Sequence, residues 1–242
     1  MDYHKLRSLF HENTKNYATH RWYDDGEIPD SWTEIEYRTY PRCPSVEISY
    51  PDIDRTQTLQ SVLENRASPE TVTSEGVNRD DLFAVLRGAK ETHHRNDYEL
   101  RAYPSGGARF PIEIFVSTTS VTDLQDGVYH FSVTEDELER VRDTPIQKKL
   151  ASMAVSDKPE TAPIAFILTA VLDRTEEKYG IRGYRYAHLS AGHLMQNLLL
   201  CAEATELAGR PWGDIRETEV DNHLPLSDDE TTIYAALCGY PE

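Results

Sequence analysis

Apolar positions along the chain follow two rhythms. Ile112, Ile114 and Val116 alternate, the period of a strand, and predict one over Pro111 to Thr118. Gly127 to Val133 predicts its hairpin partner. Ile164 to Leu172 is almost wholly apolar, as a central strand buried on both faces must be. Thr231 to Leu237 predicts a last strand. Helical spacing appears between these runs. Leu59, Val62 and Leu63 share one face over Thr58 to Asn65, and Leu82, Phe83, Val85 and Leu86 predict a helix over Asp80 to Arg87 with Gly88 as its stop. The clearest helix is Ser190 to Ala208. There Leu194, Leu198, Cys201, Ala202 and Thr205 stack, and Gly209 can close the helix. Thr134 with Glu137 forms a capping-box pattern and predicts a helix through Arg142. The polar stretch 89–103 and the charged, tyrosine-rich stretch 173–187 predict loops. Helices between strands, with one hairpin, argue for an α+β fold.

Residues 1–55 are polar and aromatic, with prolines at 29, 41, 44 and 51. They predict a short helix followed by an irregular arm, an N-terminal extension to one catalytic domain over 56–242. Asp and Glu total 42 against 25 Lys and Arg, a formal net charge of −17. That surface repels DNA, RNA and anionic lipid, so neither a nucleic-acid nor a membrane partner is expected. An acidic, lysine-poor surface suits a salt-rich cytoplasm, where cations screen self-repulsion, and predicts a halophilic source. Three scattered cysteines make no disulfide framework, and no signal peptide or long apolar run is present. A reducing cytoplasm is the expected compartment.

Four groups of residues could carry chemistry. Arg66-Ala67-Ser68 places a guanidinium near a hydroxyl, a pairing that suits a phosphate, although a surface Arg beside a Ser is more often solvated. Pro104-Ser105-Gly106-Gly107 is a tight turn of small residues. A flat ring system can press on backbone only where Cβ atoms are missing, and exposed N–H groups there can bond its edge; a plain loop turn is the simpler alternative. Lys178-Tyr179 offers a base, if burial lowers the amine's pKa, and a proton donor or relay. Taken alone, a solvated loop charge is the commoner case. His93 and His94 are adjacent and lack a surrounding ligand cluster, so no metal site is expected.

Their order along the chain carries more weight. Arg101-Ala102-Tyr103-Pro104-Ser105-Gly106-Gly107-Ala108-Arg109-Phe110-Pro111-Ile112-Glu113 resembles the R-x-x-P-S-[AG]-G-A-x-x-P-x-E signature of the SagB-type, thiazole/oxazole-forming dehydrogenases, a branch of the nitroreductase superfamily. The likeness continues at Phe10-His11-Glu12-Asn13-Thr14-Lys15, Gly127-Val128-Tyr129-His130, Tyr184-Arg185-Tyr186, Ala191-Gly192-His193 with Gln196-Asn197, and Gly239-Tyr240-Pro241. The resemblance implies a nitroreductase-like α+β fold, with a mainly antiparallel central sheet flanked by helices. It implies a homodimer that binds FMN at the subunit interface. Arg66 and Ser68 would hold the phosphate and Pro104 to Gly107 would line the isoalloxazine, with Arg101 and Asn197 as further cofactor contacts. Lys178 and Tyr179 stand where the azole-forming members carry an essential pair. Their flavin oxidises a peptide azoline to an azole while a base removes a ring proton. A peptide substrate and a cyclodehydratase partner follow from that reading. The departures are Ala67 for a second arginine, Ser190 for a glutamate before Gly-His, and an end at Glu242 without a basic tail. Two alternatives stay open: a general NAD(P)H-dependent nitroreductase or flavin reductase, and a catalytically silent module that binds a peptide or partner.

Overall fold

The computed structural model describes residues 2–16, 29, 32, 35–51, 57–95, 98–154 and 162–242. Much of the expected irregular arm lies outside these. The elements run α1 (Tyr3–Asn13), β1 (Ser45–Glu47), α2 (Leu59–Asn65), α3 (Arg79–Leu86), β2 (Glu91–Arg95), β3 (Tyr98–Arg101), β4 (Ile112–Thr118), β5 (Gly127–Ser132), β6 (Glu137–Arg142), α4 (Gln147–Met153), β7 (Ile164–Val171), α5 (Asp173–Tyr179), α6 (Gly183–Glu203), β8 (Ala208–Trp212), α7 (Glu217–Asp221) and β9 (Glu230–Gly239). Seven strands form one sheet in the order β1-β6-β5-β4-β7-β9-β8, and every pairing is antiparallel. This is the α+β architecture expected, an antiparallel central sheet flanked by helices. No helix of the described residues is long and apolar enough to cross a membrane.

The strand period explains the layers. Along β4, Ile112, Ile114 and Val116 face one core with α3 and α6, while Phe115 faces another with α4 and α7. β4 and β7 are buried along their whole length because helices cover both faces. Each fully buried Ile, Leu or Phe there contributes about 1.5–3 kcal/mol.

Four expectations are corrected. Residues 137–142 form a strand. The local capping-box pattern loses to tertiary pairing, since Ser132 to Val128 of β5 take Glu137 to Arg142 as partners. The polar stretch 89–103 contains the β2–β3 hairpin. The stretch 173–187 holds α5 and the start of α6: Asp173 and Glu176 sit in the first turn of α5 and Lys178 in its last, the charge order a helix dipole favours. Gly180, with φ 54°, stops α5. The long helix therefore starts seven residues earlier than Ser190 and ends at Glu203. Gly209 belongs to β8, where a Cβ would collide with Leu199 of α6. Strands β1 and β8 and helices α4 and α7 had too few residues for a periodic signal.

A buried set of charges fastens the segment 37–40 to the sheet. His130 of β5 donates from Nδ1 to Glu139 of β6 at 2.8 Å and from Nε2 to Glu113 of β4 at 2.9 Å. Arg174 of α5 donates to the same Glu113. Two carboxylates and two cations cancel. Burial opposes the imidazolium, but the bonds to Glu113 and Glu139 prevail and raise its pKa. Arg174 and His130 hold Glu113 down at about 2 despite complete burial. These carboxylates also take backbone donors: Tyr40 N–H meets Glu139 at 2.6 Å, and Arg38 N–H meets Glu113 at 3.4 Å on the oxygen that Arg174 also holds. The Arg38 side chain pairs with buried Glu230 at 2.9 Å.

Candidate active site

The turn after β3 is the centre of the site. Its own hydrogen bonds run from Ala108 N–H to the Ser105 carbonyl at 3.1 Å and from Arg109 N–H to the Gly106 carbonyl at 3.4 Å. These leave the Gly106 and Gly107 N–H groups without an acceptor inside the turn. The Ser105 hydroxyl accepts from Phe110 N–H at 3.0 Å and from the Ser190 hydroxyl at 3.2 Å, which ties the turn to α6. His193 of α6 reaches the Pro104 carbonyl at 3.1 Å.

Lys178 and Tyr179 converge on this turn from the end of α5. A Cβ on Gly107 would collide with the Tyr179 hydroxyl and lie 3.2 Å from Lys178 Nζ. Gly107 also holds φ at 65°, the left-handed region that glycine enters without strain. A Cβ on Gly106 would touch the Tyr186 ring at 3.2 Å, and that ring packs edge-on against Tyr179 with centroids 4.8 Å apart. Burial lowers the Lys178 pKa, and the positive charge of Arg109 lowers it further. The arrangement therefore joins an amine biased toward neutrality, a phenol and two backbone donors at one glycine turn. Gly107→Ala should keep the fold, since the colliding atom ends a side chain that can swing away. It should displace Tyr179 and cut turnover at least about tenfold, with roughly 1–2 kcal/mol of backbone strain. Circular dichroism alongside rate measurement checks this.

The other expected residues fall in different settings. Arg66 caps α2; its guanidinium makes an exposed contact of 3.5 Å with the Ser68 hydroxyl, with no carboxylate at ion-pair distance among the described residues. Beside this loop, Thr73 N–H donates to the Tyr240 carbonyl and the Thr71 hydroxyl to Glu242, so the Gly-Tyr-Pro end runs along it. Asn197 spends its amide donors on the carbonyls of Ala102 at 2.8 Å and Gly88 at 3.2 Å. It pins α6 to the chain leading into the turn. Arg101 is buried with its guanidinium 4.5 Å from the Tyr37 ring centroid and 4.9 Å from that of Phe110. That placement favours seating the 37–40 segment over contact with a phosphate. His93 and His94 lie in β2, and the described residues hold no cluster fit for a metal.

Sequence reasoning missed Trp32, Arg109, Tyr186 and His193. Arg109, Tyr186 and His193 stand within motifs already quoted; Trp32 gave no signal. Arg109 is almost wholly buried, donates to the Arg174 carbonyl and approaches Glu177 at 3.5 Å. It lines a cavity of about 860 Å³ together with Tyr37, Arg38, Asp173, Arg174 and Glu177.

Comparison with known proteins agrees with this picture. The Nitroreductase family model matches residues 63–240. A Methanocaldococcus jannaschii protein named as a nitroreductase is 30% identical over 185 residues, 76% of this chain and 92% of its own. The Microcin B17-processing protein McbC of Escherichia coli is 31% identical over 139 residues, 55% of this chain; the match spans 50% of McbC. A chain from the E. coli Microcin synthetase McbBCD complex with truncated pro-MccB17 bound superposes with a TM-score of 0.65 at 21% identity, covering 98% of this chain and 92% of that one. The family match over most of the chain, with the archaeal relative beside it, makes this protein an oxidoreductase of the nitroreductase family.

Proposed function

We propose that the protein binds FMN and oxidises azoline rings in a peptide to azoles. The observation that carries this reading is the convergence of Lys178 and Tyr179 on the Gly106–Gly107 turn. The turn fits a flavin edge: small, half-exposed, with two N–H donors that have no acceptor inside the turn. Arg66 fits a phosphate, having no carboxylate at ion-pair distance among the described residues. Bound FMN would supply the two-electron oxidising capacity. The chain's own residues do the rest. Lys178, with a lowered pKa, takes the proton from the ring carbon. Tyr179 orients the amine or donates to a ring heteroatom. The cavity beside Arg109 leaves room for peptide flanking the reacting ring. Kinship with a peptide-processing protein supports a peptide substrate, and a cyclodehydratase that makes the azoline is the partner this chemistry requires. Mass spectrometry of an azoline peptide incubated with the FMN-loaded protein tests the reading: loss of two hydrogens supports it, and an unchanged peptide defeats it.

Arg66→Ala should weaken FMN binding by about 1.5–3 kcal/mol through loss of a charge-assisted bond. Fluorescence titration of the apoprotein with FMN measures it. A homodimer completes the proposal. Leu59 and Leu63, four apart on α2, are exposed, an apolar pair suited to a second copy. Sedimentation should give a dimer; a monomer with flavin bound would refute it. A general nitroreductase is the second reading, favoured by the archaeal relative's name, and NADH-driven reduction of a nitroaromatic without azoline oxidation would select it.

A further inference from the structure

The candidate base is not enclosed by the family-matched segment alone. Trp32 lies 31 residues before that segment begins and is 8% exposed. Its ring centroid is 5.2 Å from Lys178 Nζ, within cation–π range. On other sides the same nitrogen meets the Tyr179 ring at 5.7 Å and the open Cα of Gly107. Arg109 is the charged group facing it from the turn. No carboxylate lies at ion-pair distance from Lys178 among the described residues.

Described residues before and after Trp32 in the sequence are bonded to the body of the protein. Upstream, buried Thr14 gives its carbonyl to Arg182, which in turn holds the Tyr186 hydroxyl at 2.9 Å. Downstream, Arg38 and Tyr40 are bonded to the buried charge set through their backbone N–H groups.

We propose that Trp32 is a positioning residue for Lys178: its ring, brought by the N-terminal arm, holds the amine against the Gly107 turn. The inference rests on the reading of Lys178 as the base. A base in this place must carry a positive charge once it has taken a proton, with Arg109 close by and no carboxylate at ion-pair distance from the amine among the described residues. An aromatic face stabilises that charge without adding an acceptor that would compete for the amine's aim.

Two readouts test it. In the reductively ¹³C-methylated holoprotein, the Lys178 signal, identified by its loss in Lys178→Arg, should be displaced upfield from the other lysines by the indole ring current. It should stay displaced in Trp32→Phe and rejoin the others in Trp32→Leu. With azoline peptide, Trp32→Leu should lower kcat by about tenfold or more, the effect of a misplaced reacting group, with KM and FMN content unchanged, and Trp32→Phe should restore most of it. A Lys178 signal among the others in the unsubstituted protein would overturn the placement. If Trp32→Leu keeps full kcat while Lys178→Ala has none, the positioning role falls and the base survives. If Lys178→Ala keeps full kcat, both fall together.

Discussion

Lys178→Ala should abolish most turnover with an azoline peptide, by about 10²–10⁴-fold, the usual contribution of a positioned general base. The protein should keep its FMN, because the amine touches the turn without supplying its donors. Lys178→Arg should fail as well, since a guanidinium stays protonated. Tyr179→Phe should cost less, on the order of tenfold, if the phenol only orients the amine. The rate should rise with pH as Lys178 loses its proton. That limb should lie below the ordinary lysine range, since burial and Arg109 both lower the pKa. Steady-state rates across pH, with flavin content measured for each variant, check these outcomes. Loss of flavin in Lys178→Ala would make the pair structural.

Glu113→Ala should unfold the protein far more easily. It removes the carboxylate between His130 and Arg174: His130 keeps Glu139, but Arg174 is left buried without its carboxylate. Breaking such a set costs about 3–5 kcal/mol. For a chain of this size that lowers Tm by on the order of 10 °C. The pH dependence has a definite sign. The Glu113 pKa is depressed to about 2, so its contribution is present above the ordinary carboxylate value and fades as pH falls toward 2. The His130 pKa is raised, so its contribution is complete below the ordinary histidine value of 6.5 and fades as pH rises through the folded value. The network is therefore strongest in mildly acidic solution. Thermal melts across pH should show the alkaline decline in the unsubstituted protein and a weaker one in His130→Phe.

Strands β4, β5, β7 and β9 and helices α2, α3 and α6 were legible because each is long enough for its buried face to recur. Strand β6 was not, because its partner decided its conformation: Glu137 to Arg142 reads locally as a capped helix, and only the hairpin with β5 and the bond from Glu139 to His130 make it a strand. Helix α5 hid in a charged stretch whose polar residues occupy most of its surface, although the Asp173-to-Lys178 charge order and Gly180 were available signals. The turn and the Lys178-Tyr179 pair were read from family order, and the fold brings them together around Gly107. Arg101 and Asn197 were expected at the cofactor. Arg101 lies against the Tyr37 and Phe110 rings, and the Asn197 amide bonds two backbone carbonyls. Glu113 and His130 stood inside quoted motifs, yet their pairing needs two neighbouring strands in register and has no signal along the chain. Trp32 is harder still, since a lone tryptophan in an irregular arm has no period to reveal its target.

The most direct measurement is the visible absorption spectrum of the purified protein, before and after saturation with FMN, followed by acid release and chromatography of whatever is bound. Flavin bands near stoichiometric with the chain, a released species that is FMN and not FAD, and weaker retention in Arg66→Ala are the predicted results. A colourless protein that takes up no added FMN would contradict the flavin site at the Gly106–Gly107 turn and, with it, the proposed oxidation.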